Sequence, residues 1–239
     1  MPSVVCFNGQ KNKEFFCWLP NGKSCVAYHE AGHAVAAWLL CVDIESISVM
    51  DEFGFLGEKH ALDEECIGAV YHSFCCTWDL KRLRESKSGI IENGRRISFI
   101  EFHADAIKRD IQRNLFISLA GPVCEVEYGG GNIFSPACSF SKCSPGSDRA
   151  KVEEMLDSFC ECYQETVRDD MLQHMINKTE SLVKQHWNKV EKLACILERN
   201  HFIRGHSLNQ ILGINFVDRA TPFFEQESTC SGASTGFKG

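Results

Sequence analysis

The segment from Ser24 to Cys41 constrains the fold most strongly, because it is expected to form a helix that carries an unusual polar cluster. It contains no proline and only one glycine, and it is rich in alanine and leucine. Such residues favour a helix, which we predict to begin at the cap residue Ser24. Within it stands the sequence His29-Glu30-Ala31-Gly32-His33.

The spacing of the two histidines predicts a metal site. Residues four apart lie on the same face of a helix, so His29 and His33 can direct two imidazoles at one Zn²⁺. Glu30 lies beside the first of them, where its carboxylate can act as a general base on a zinc-bound water. Neutral imidazoles leave the ion a strong Lewis acid, which lowers the pKa of that water. The alternative is a core helix whose histidines are merely hydrogen-bonded.

A short sheet is expected beside this helix. Alternating apolar residues predict a strand from Ile44 to Met50, and Gly54 to Lys59 can return as a second strand, which gives a β-hairpin or short sheet. Within the following segment, over about residues 60–98, helical apolar spacing predicts one amphipathic helix. The residues that define its apolar face are Ile67, Val70, Tyr71, Phe74 and Trp78.

The remainder of the chain predicts further helices, and so a mainly α fold. A basic stretch over residues 81–96, with a turn at Asn93-Gly94, is read as a solvated surface or as a lid beside the cleft. Long apolar periodicity predicts a helix from Glu101 to Glu127, and two or three helices from Asp148 to Asn200. A short helix is expected after Ser207. An irregular arm over residues 1–23 and a disordered tail over 214–239 flank this domain of residues 24–213.

Composition excludes several classes of protein. The net charge of −7 argues against general nucleic-acid binding. The longest nearly apolar stretch, from Ala34 to Val42, is about half of what a membrane helix needs. With no charged-then-apolar leader, we expect a soluble cytoplasmic protein whose thiols stay reduced. None of the 14 cysteines is in CxxC spacing, so we expect thiols rather than a cysteine-based metal site.

Three segments, taken in order, resemble the FtsH-type zinc proteases. The sequence from Tyr28 to Ala36 is similar to the signature of that family, and Leu119-Ala120-Gly121-Pro122-Val123-Cys124-Glu125 resembles its "LAGRxAE" helix. Gly146-Ser147-Asp148 resembles the segment whose Asp is the third zinc ligand. Weaker similarities occur at residues 54–57, 190–194 and 208–212, so the resemblance covers most of residues 24–213.

The resemblance implies a zincin-like helical metallopeptidase domain with an insertion at about residues 60–98. It implies that His29, His33 and Asp148 bind Zn²⁺ and that Glu30 is the catalytic base. The implied activity is that of an endopeptidase acting on flexible or unfolded protein segments. Because the sequence has no GxxxxGKS/T loop, we expect no ATPase activity of its own, and an ATPase or adaptor is then expected as a separate partner. The oligomeric state is left open.

Departures from the family pattern keep alternatives open. Pro122 replaces an arginine and Ser147 an asparagine, which sustains a second reading as a zinc-binding, catalytically weak or inactive domain that acts through partner binding. Asp148 can instead be a helix N-cap. Glu125 and Glu127 are rival ligands, or else partners of a metal-binding histidine or plain surface charges.

Two further expectations concern the surroundings of the motif. Cys25, four residues before His29, can touch the metal or simply be a small residue of the first turn. A strand lying antiparallel to an extended substrate would hold its backbone by edge addition. The segments 46–50 and 53–59 are the candidates for that edge, with Ser48, Phe55 and Leu56 as the candidate contact residues.

Overall fold

The computed structural model describes residues 3–8, 22–49, 66–72, 89–144, 146–163 and 168–213. Helices dominate these residues, as the sequence predicts. The helices are α1 (Gly22–Leu39), α2 (Phe99–Phe102), α3 (Ala104–Gly129), α4 (Asp148–Tyr163), α5 (Arg168–Gln185), α6 (Trp187–Asn200) and α7 (Gly205–Leu212). The strands are β1 (Ser3–Asn8), β2 (Ile44–Val49), β3 (Cys66–His72), β4 (Gly89–Glu92), β5 (Arg95–Ser98) and β6 (Phe202–Arg204).

Helices α1 and α3 form the centre of the fold. Their backbones approach closely at Gly32, where a Cβ atom would lie only 2.6 Å from the carbonyl oxygen of Ala120 and 2.6 Å from Sγ of Cys124. The central part of α3 is buried, and the helix continues through Pro122 to Gly129. Helix α6 packs on another side of α1, while α4 and α5 pack against α3. The histidine-bearing helix is thus enclosed on several sides.

The sheet covers a further side of α1. Its four strands follow the order β1-β3-β2-β6, and every neighbouring pair is antiparallel. Strands β2 and β3 both contact α1, and Ile47 and Val70 are completely buried in the core. The predicted short sheet beside the histidine helix is therefore confirmed, although three of its four strands come from segments that were not predicted as strands.

The prediction of an amphipathic helix around Ile67 to Trp78 is wrong at Cys66–His72, which is strand β3. The helical spacing of Ile67, Val70 and Tyr71 is short enough to occur by chance in a strand. Pairing of β3 with β1 and β2 overrides it, as tertiary context commonly does. The irregular arm predicted for residues 1–23 likewise contains a strand, Ser3–Asn8.

The turn predicted at Asn93-Gly94 is confirmed. It joins β4 to β5, and both residues have positive φ, 49° and 77°, as a tight hairpin turn requires. Arg95 and Arg96 of the basic stretch are exposed on this hairpin. Residues 81–88 of that stretch, the predicted strand Gly54–Lys59 and the tail over 214–239 lie outside the described residues.

Helix boundaries agree closely with the sequence-based expectations. The predicted helix from Ser24 to Cys41 is α1, and that from Glu101 to Glu127 is α3 preceded by the short α2. Three helices occupy the region from Asp148 to Asn200, and α7 begins at Gly205, slightly before the helix expected after Ser207.

None of the described helices combines the length and the apolar character needed to cross a membrane.

Candidate metal centre

Three buried side chains converge at the centre of the fold. Nε2 of His29 lies 2.8 Å from Nε2 of His33. Oδ2 of Asp148 lies 3.0 Å from the first of these nitrogens and 3.3 Å from the second. The histidines come from successive turns of α1, and Asp148 is the first residue of α4. Together the three residues form a buried group that can hold a metal ion.

The other nitrogen of each histidine is held by an acceptor. Nδ1 of His29 donates to Oε1 of Glu125 at 2.6 Å, and Nδ1 of His33 donates to the carbonyl oxygen of Ile117 at 2.6 Å. A carbonyl and a carboxylate oxygen only accept, so both Nδ1 atoms carry hydrogen. When the rings are neutral, both Nε2 atoms therefore present a lone pair to the space beside Asp148. This is the tautomer that a metal-binding histidine needs.

The size and chemistry of this space fit Zn²⁺. Tetrahedral zinc with metal–ligand distances near 2.0–2.2 Å places its ligand atoms roughly 3.3–3.6 Å apart. The three observed separations, 2.8, 3.0 and 3.3 Å, are at or slightly below that range, so shifts of a few tenths of an ångström suffice. Two imidazoles and one carboxylate are also a donor set that zinc accepts readily.

Gly121 keeps this space open on the side of α3. A Cβ atom at this position would lie 2.4 Å from Nε2 of His33 and 2.8 Å from Nε2 of His29. Any other residue would therefore press on the two nitrogen atoms that face Asp148. The glycine of the "LAG" sequence thus has a direct steric role beside the candidate ligands.

Ser147, rather than Asp148, caps helix α4. Its hydroxyl accepts a hydrogen bond from the backbone N–H of Ala150 at 3.2 Å, which is the N-cap geometry. The alternative role for Asp148 as the cap is thereby taken by its neighbour, and the Asp148 carboxylate faces the histidines. Serine also caps helices about as well as the asparagine that it replaces in the family pattern.

Glu125 lies behind His29 rather than among the donor atoms. Its second carboxylate oxygen accepts from the backbone N–H of Ser139 at 2.8 Å, so the carboxylate bridges a loop and the histidine. Of the two rival ligands, Glu125 therefore has the position of a partner to a ligand. Glu127 is exposed, and its carboxylate lies 3.9 Å from Nζ of Lys184, so the structure does not bring it to the site.

The carboxylates control protonation of the histidines. Burial by itself lowers the pKa of His29, but Glu125 and Asp148 more than offset this and raise the pKa to about 10. The pKa of His33 lies below its usual value because burial dominates there. Although burial alone would raise it, the two histidines hold the pKa of Asp148 well below its ordinary range. Without metal, the ring of His29 therefore carries a hydrogen on both nitrogens at neutral pH and is positively charged.

Glu30 is completely buried on the side of α1 that faces the sheet. A Cβ atom at Gly68 of β3 would lie 2.5 Å from Oε1 of Glu30, so the strand passes directly over the carboxylate. Gly68 is a residue that sequence reasoning missed. A glycine in a strand is a known sign of close approach, but that signal was lost once the segment was assigned to a helix.

The other candidate residues lie elsewhere. Ser48 is buried on β2, which pairs with β3 on one side and β6 on the other, so residues 46–48 do not offer the free edge that was expected for 46–50. Phe55 and Leu56 lie outside the described residues. Cys25 is buried, and burial together with the charge of Glu125 raises the pKa of its thiol far above the usual range. A thiolate ligand at Cys25 is therefore disfavoured.

No protein-family profile matches the chain, and no curated protein is similar enough in sequence to count as a relative.

Glu125→Gln is expected to weaken zinc binding about 10- to 100-fold, the usual effect of losing the charged partner of a metal-binding histidine. Glu127→Gln is the matched control, because Glu127 is two residues along the same helix and exposed. Competition with a chromophoric chelator measures both affinities. Equal affinities in the two variants would contradict the role assigned to Glu125.

Zinc binding is expected to strengthen as the pH rises, by up to about tenfold per pH unit between about pH 6.5 and pH 9, because the ion displaces one proton from His29. The stability of the metal-free protein depends on pH in the opposite direction. Because the pKa of His29 is raised from 6.5 to about 10, protonated His29 stabilises the metal-free fold fully below about pH 6.5. This stabilisation is lost as the pH rises through about 10. Chelator competition between about pH 6.5 and pH 9 measures how zinc affinity changes with pH, and a pH-independent zinc affinity would contradict the prediction.

Proposed function

We propose that this chain is a zinc-dependent endopeptidase with a zincin-like site similar to that of the FtsH-type proteases. It would hydrolyse peptide bonds in flexible or unfolded protein segments. The observation that carries this proposal is the convergence of His29, His33 and Asp148 beside a buried Glu30. A merely structural histidine pair would not need a third ligand atom at 3.0–3.3 Å and a glycine that keeps the space open.

Each residue has a defined task in this proposal. His29, His33 and Asp148 would hold Zn²⁺, and the bound ion would polarise the substrate carbonyl and lower the pKa of water. Glu30 would accept a proton from the attacking water and pass it to the nitrogen of the leaving amine. Glu125 and the carbonyl of Ile117 would orient the two imidazoles through their Nδ1 atoms.

A second candidate function is zinc binding with little or no catalysis, in a domain that works through partner proteins. The observation that favours it is the burial of both Glu30 carboxylate oxygens beneath β3. A general base must come within hydrogen-bonding distance of the water that it activates, so an enclosed Glu30 needs some opening of the site before it can act.

Cleavage of an unfolded protein separates the two candidates. The zinc-loaded full chain is incubated with casein and with a fluorescence-quenched peptide, and zinc content is measured in the same sample. We expect cleavage that stops when a chelator removes the metal and returns when zinc is added back. Stoichiometric zinc without cleavage, under conditions that also open the site, would support the second candidate. We also propose that a separate ATPase or adaptor delivers substrate. The test is whether adding cell extract raises the rate of casein cleavage.

A further inference from the structure

We propose that the outer edge of strand β3 is the substrate-binding edge, and that strand β1 of the same chain occupies it as a substrate segment would. The described arrangement is then a self-blocked form, and displacement of β1 is the step that opens the cleft. This inference rests on the proposed peptidase function.

Strands β2 and β3 pack against α1, and of these two it is β3 whose second edge can be offered to an extended peptide. Strand β2 is paired on both sides, by β3 and β6, and so cannot accept another strand. Strand β3 is paired with β2 on one side, and β1 takes the other side in antiparallel register from Ser3–His72 to Phe7–Gly68. Extended peptides bind to sheets in this way, through main-chain hydrogen bonds along an open edge.

Gly68 ties this edge to the candidate catalytic residue. It is the residue of β3 that lies against the Glu30 carboxylate, and Phe7 of β1 is directly opposite it in the sheet. Neighbouring strands are about 4.8 Å apart, so the backbone of β1 runs one strand spacing from the residue that covers Glu30.

Helix α4 also contacts strand β1, and α4 is the helix that begins with Asp148. The chain segment Ser3–Asn8 therefore touches both the strand over Glu30 and the helix that supplies the third candidate ligand. An extended substrate held for cleavage would also have to lie near both elements, since its reacting bond must reach both groups.

Strand β1 is paired as an edge strand, which can be displaced without breaking the pairing of the other strands. Within the described residues its ladder partner is β3 alone, whereas β2 and β3 each have two. The register also shifts between Phe7 and Asn8, so the pairing becomes irregular close to Gly68. Loss of β1 would free a row of backbone groups on β3 and leave the pairing of β3 with β2, and of β2 with β6, in place.

A release variant and a lock variant test the proposal in opposite directions. In the release variant, Val5→Pro and Cys6→Pro are combined. Successive N–H groups of a strand point to opposite sides, so one of the two prolines removes a donor to β3. Val5→Thr with Cys6→Ser is the control that keeps both N–H groups. If the open form makes up at most about 10% of the wild-type protein, complete release of β1 raises the active fraction at least about tenfold. We therefore expect the release variant to cleave the quenched peptide at least about tenfold faster than wild type.

The lock variant is Ala69→Cys, because Cys6 and Ala69 are directly opposite in the β1–β3 ladder. Opposed antiparallel residues have Cα atoms about 4.5–5.5 Å apart, which a disulfide can span. Oxidation should lower cleavage by about tenfold or more from the reduced value, and dithiothreitol should restore it. Ala69→Ser under the same oxidation controls for the other cysteines, and peptide mapping verifies the disulfide between Cys6 and the introduced thiol.

Peptide binding supplies a readout that does not depend on catalysis. A fluorescent peptide with the β1 sequence, its cysteine replaced by serine, should bind the release variant at least about tenfold more tightly than wild type, and a scrambled peptide should not. Unchanged peptide binding and unchanged cleavage in the release variant would overturn the inference, and so would full activity of the locked form. If the zinc-loaded release variant binds the peptide but neither it nor wild type cleaves any substrate, the proposed peptidase function fails while β1 remains a displaceable occupant.

Discussion

Glu30→Gln is expected to lower peptide cleavage by about 10²- to 10⁴-fold while zinc content stays at the wild-type level. The amide has the shape of the carboxylate but cannot accept a proton, so the general base is lost. Glu30 is not one of the three residues whose donor atoms converge, so the metal should remain. Initial cleavage rates and zinc content, measured on the same protein samples, give the result.

The control for this variant is Glu127→Gln, which removes an exposed carboxylate and should leave cleavage unchanged. Wild-type activity in Glu30→Gln would remove Glu30 from the reaction. Loss of zinc in this variant would show instead that Glu30 supports the metal site, and the fall in activity could not then be assigned to proton transfer.

Gly121→Ala is expected to lower zinc affinity by more than about 100-fold without unfolding the protein. The added Cβ atom would lie 2.4 Å from Nε2 of His33 and 2.8 Å from Nε2 of His29, so neither nitrogen can keep its position. Displacing a ligand should cost more than removing a partner behind a ligand, which costs about 10- to 100-fold. Alanine also favours a helix over glycine by about 1 kcal/mol, so the helix itself gains.

Gly129→Ala is the matched substitution, because Gly129 is exposed at the end of the same helix. Chelator competition gives the two affinities, and far-ultraviolet circular dichroism with a melting curve verifies the fold. Normal zinc binding by Gly121→Ala would mean that the metal does not occupy the space between the two histidines and Asp148.

The part of the site that lies on one helix could be predicted from the sequence. The i, i+4 spacing of His29 and His33 fixes both rings on one face of α1, and helix geometry alone requires this. Asp148 is 115 residues further along the chain than His33, and no local rule connects the two. Only the resemblance to the FtsH-type proteases suggested Asp148, and the fold places its carboxylate beside the histidines.

Close contacts between elements could not be predicted. The steric roles of Gly121 and Gly68 depend on which helix or strand passes over which, and this is set by tertiary packing. The hydrogen bond from His29 to Glu125 also depends on tertiary packing. The sequence did not distinguish Glu125 from Glu127, or a metal ligand from a partner of a histidine. Residue type nevertheless carried a signal, because glycine inside regular structure often marks such an approach.

Strands β1 and β3 show where pattern reading fails. The apolar residues of Cys66–His72 fit a helical spacing as well as a strand, and the short window does not separate the two. Ser3–Asn8 contains Val4, Val5 and Phe7, which favour strands, but the segment is too short to show without its partner β3 that it forms one. Long helices such as α3 were predicted well because their periodicity extends over many turns.

The most direct test of the metal site is a crystal of the zinc-loaded protein measured on both sides of the zinc absorption edge. We predict a single strong anomalous peak within about 2.0–2.2 Å of Nε2 of His29, Nε2 of His33 and a carboxylate oxygen of Asp148. A peak bonded to Glu125 in place of Asp148, or no peak between the two histidines, would contradict the account.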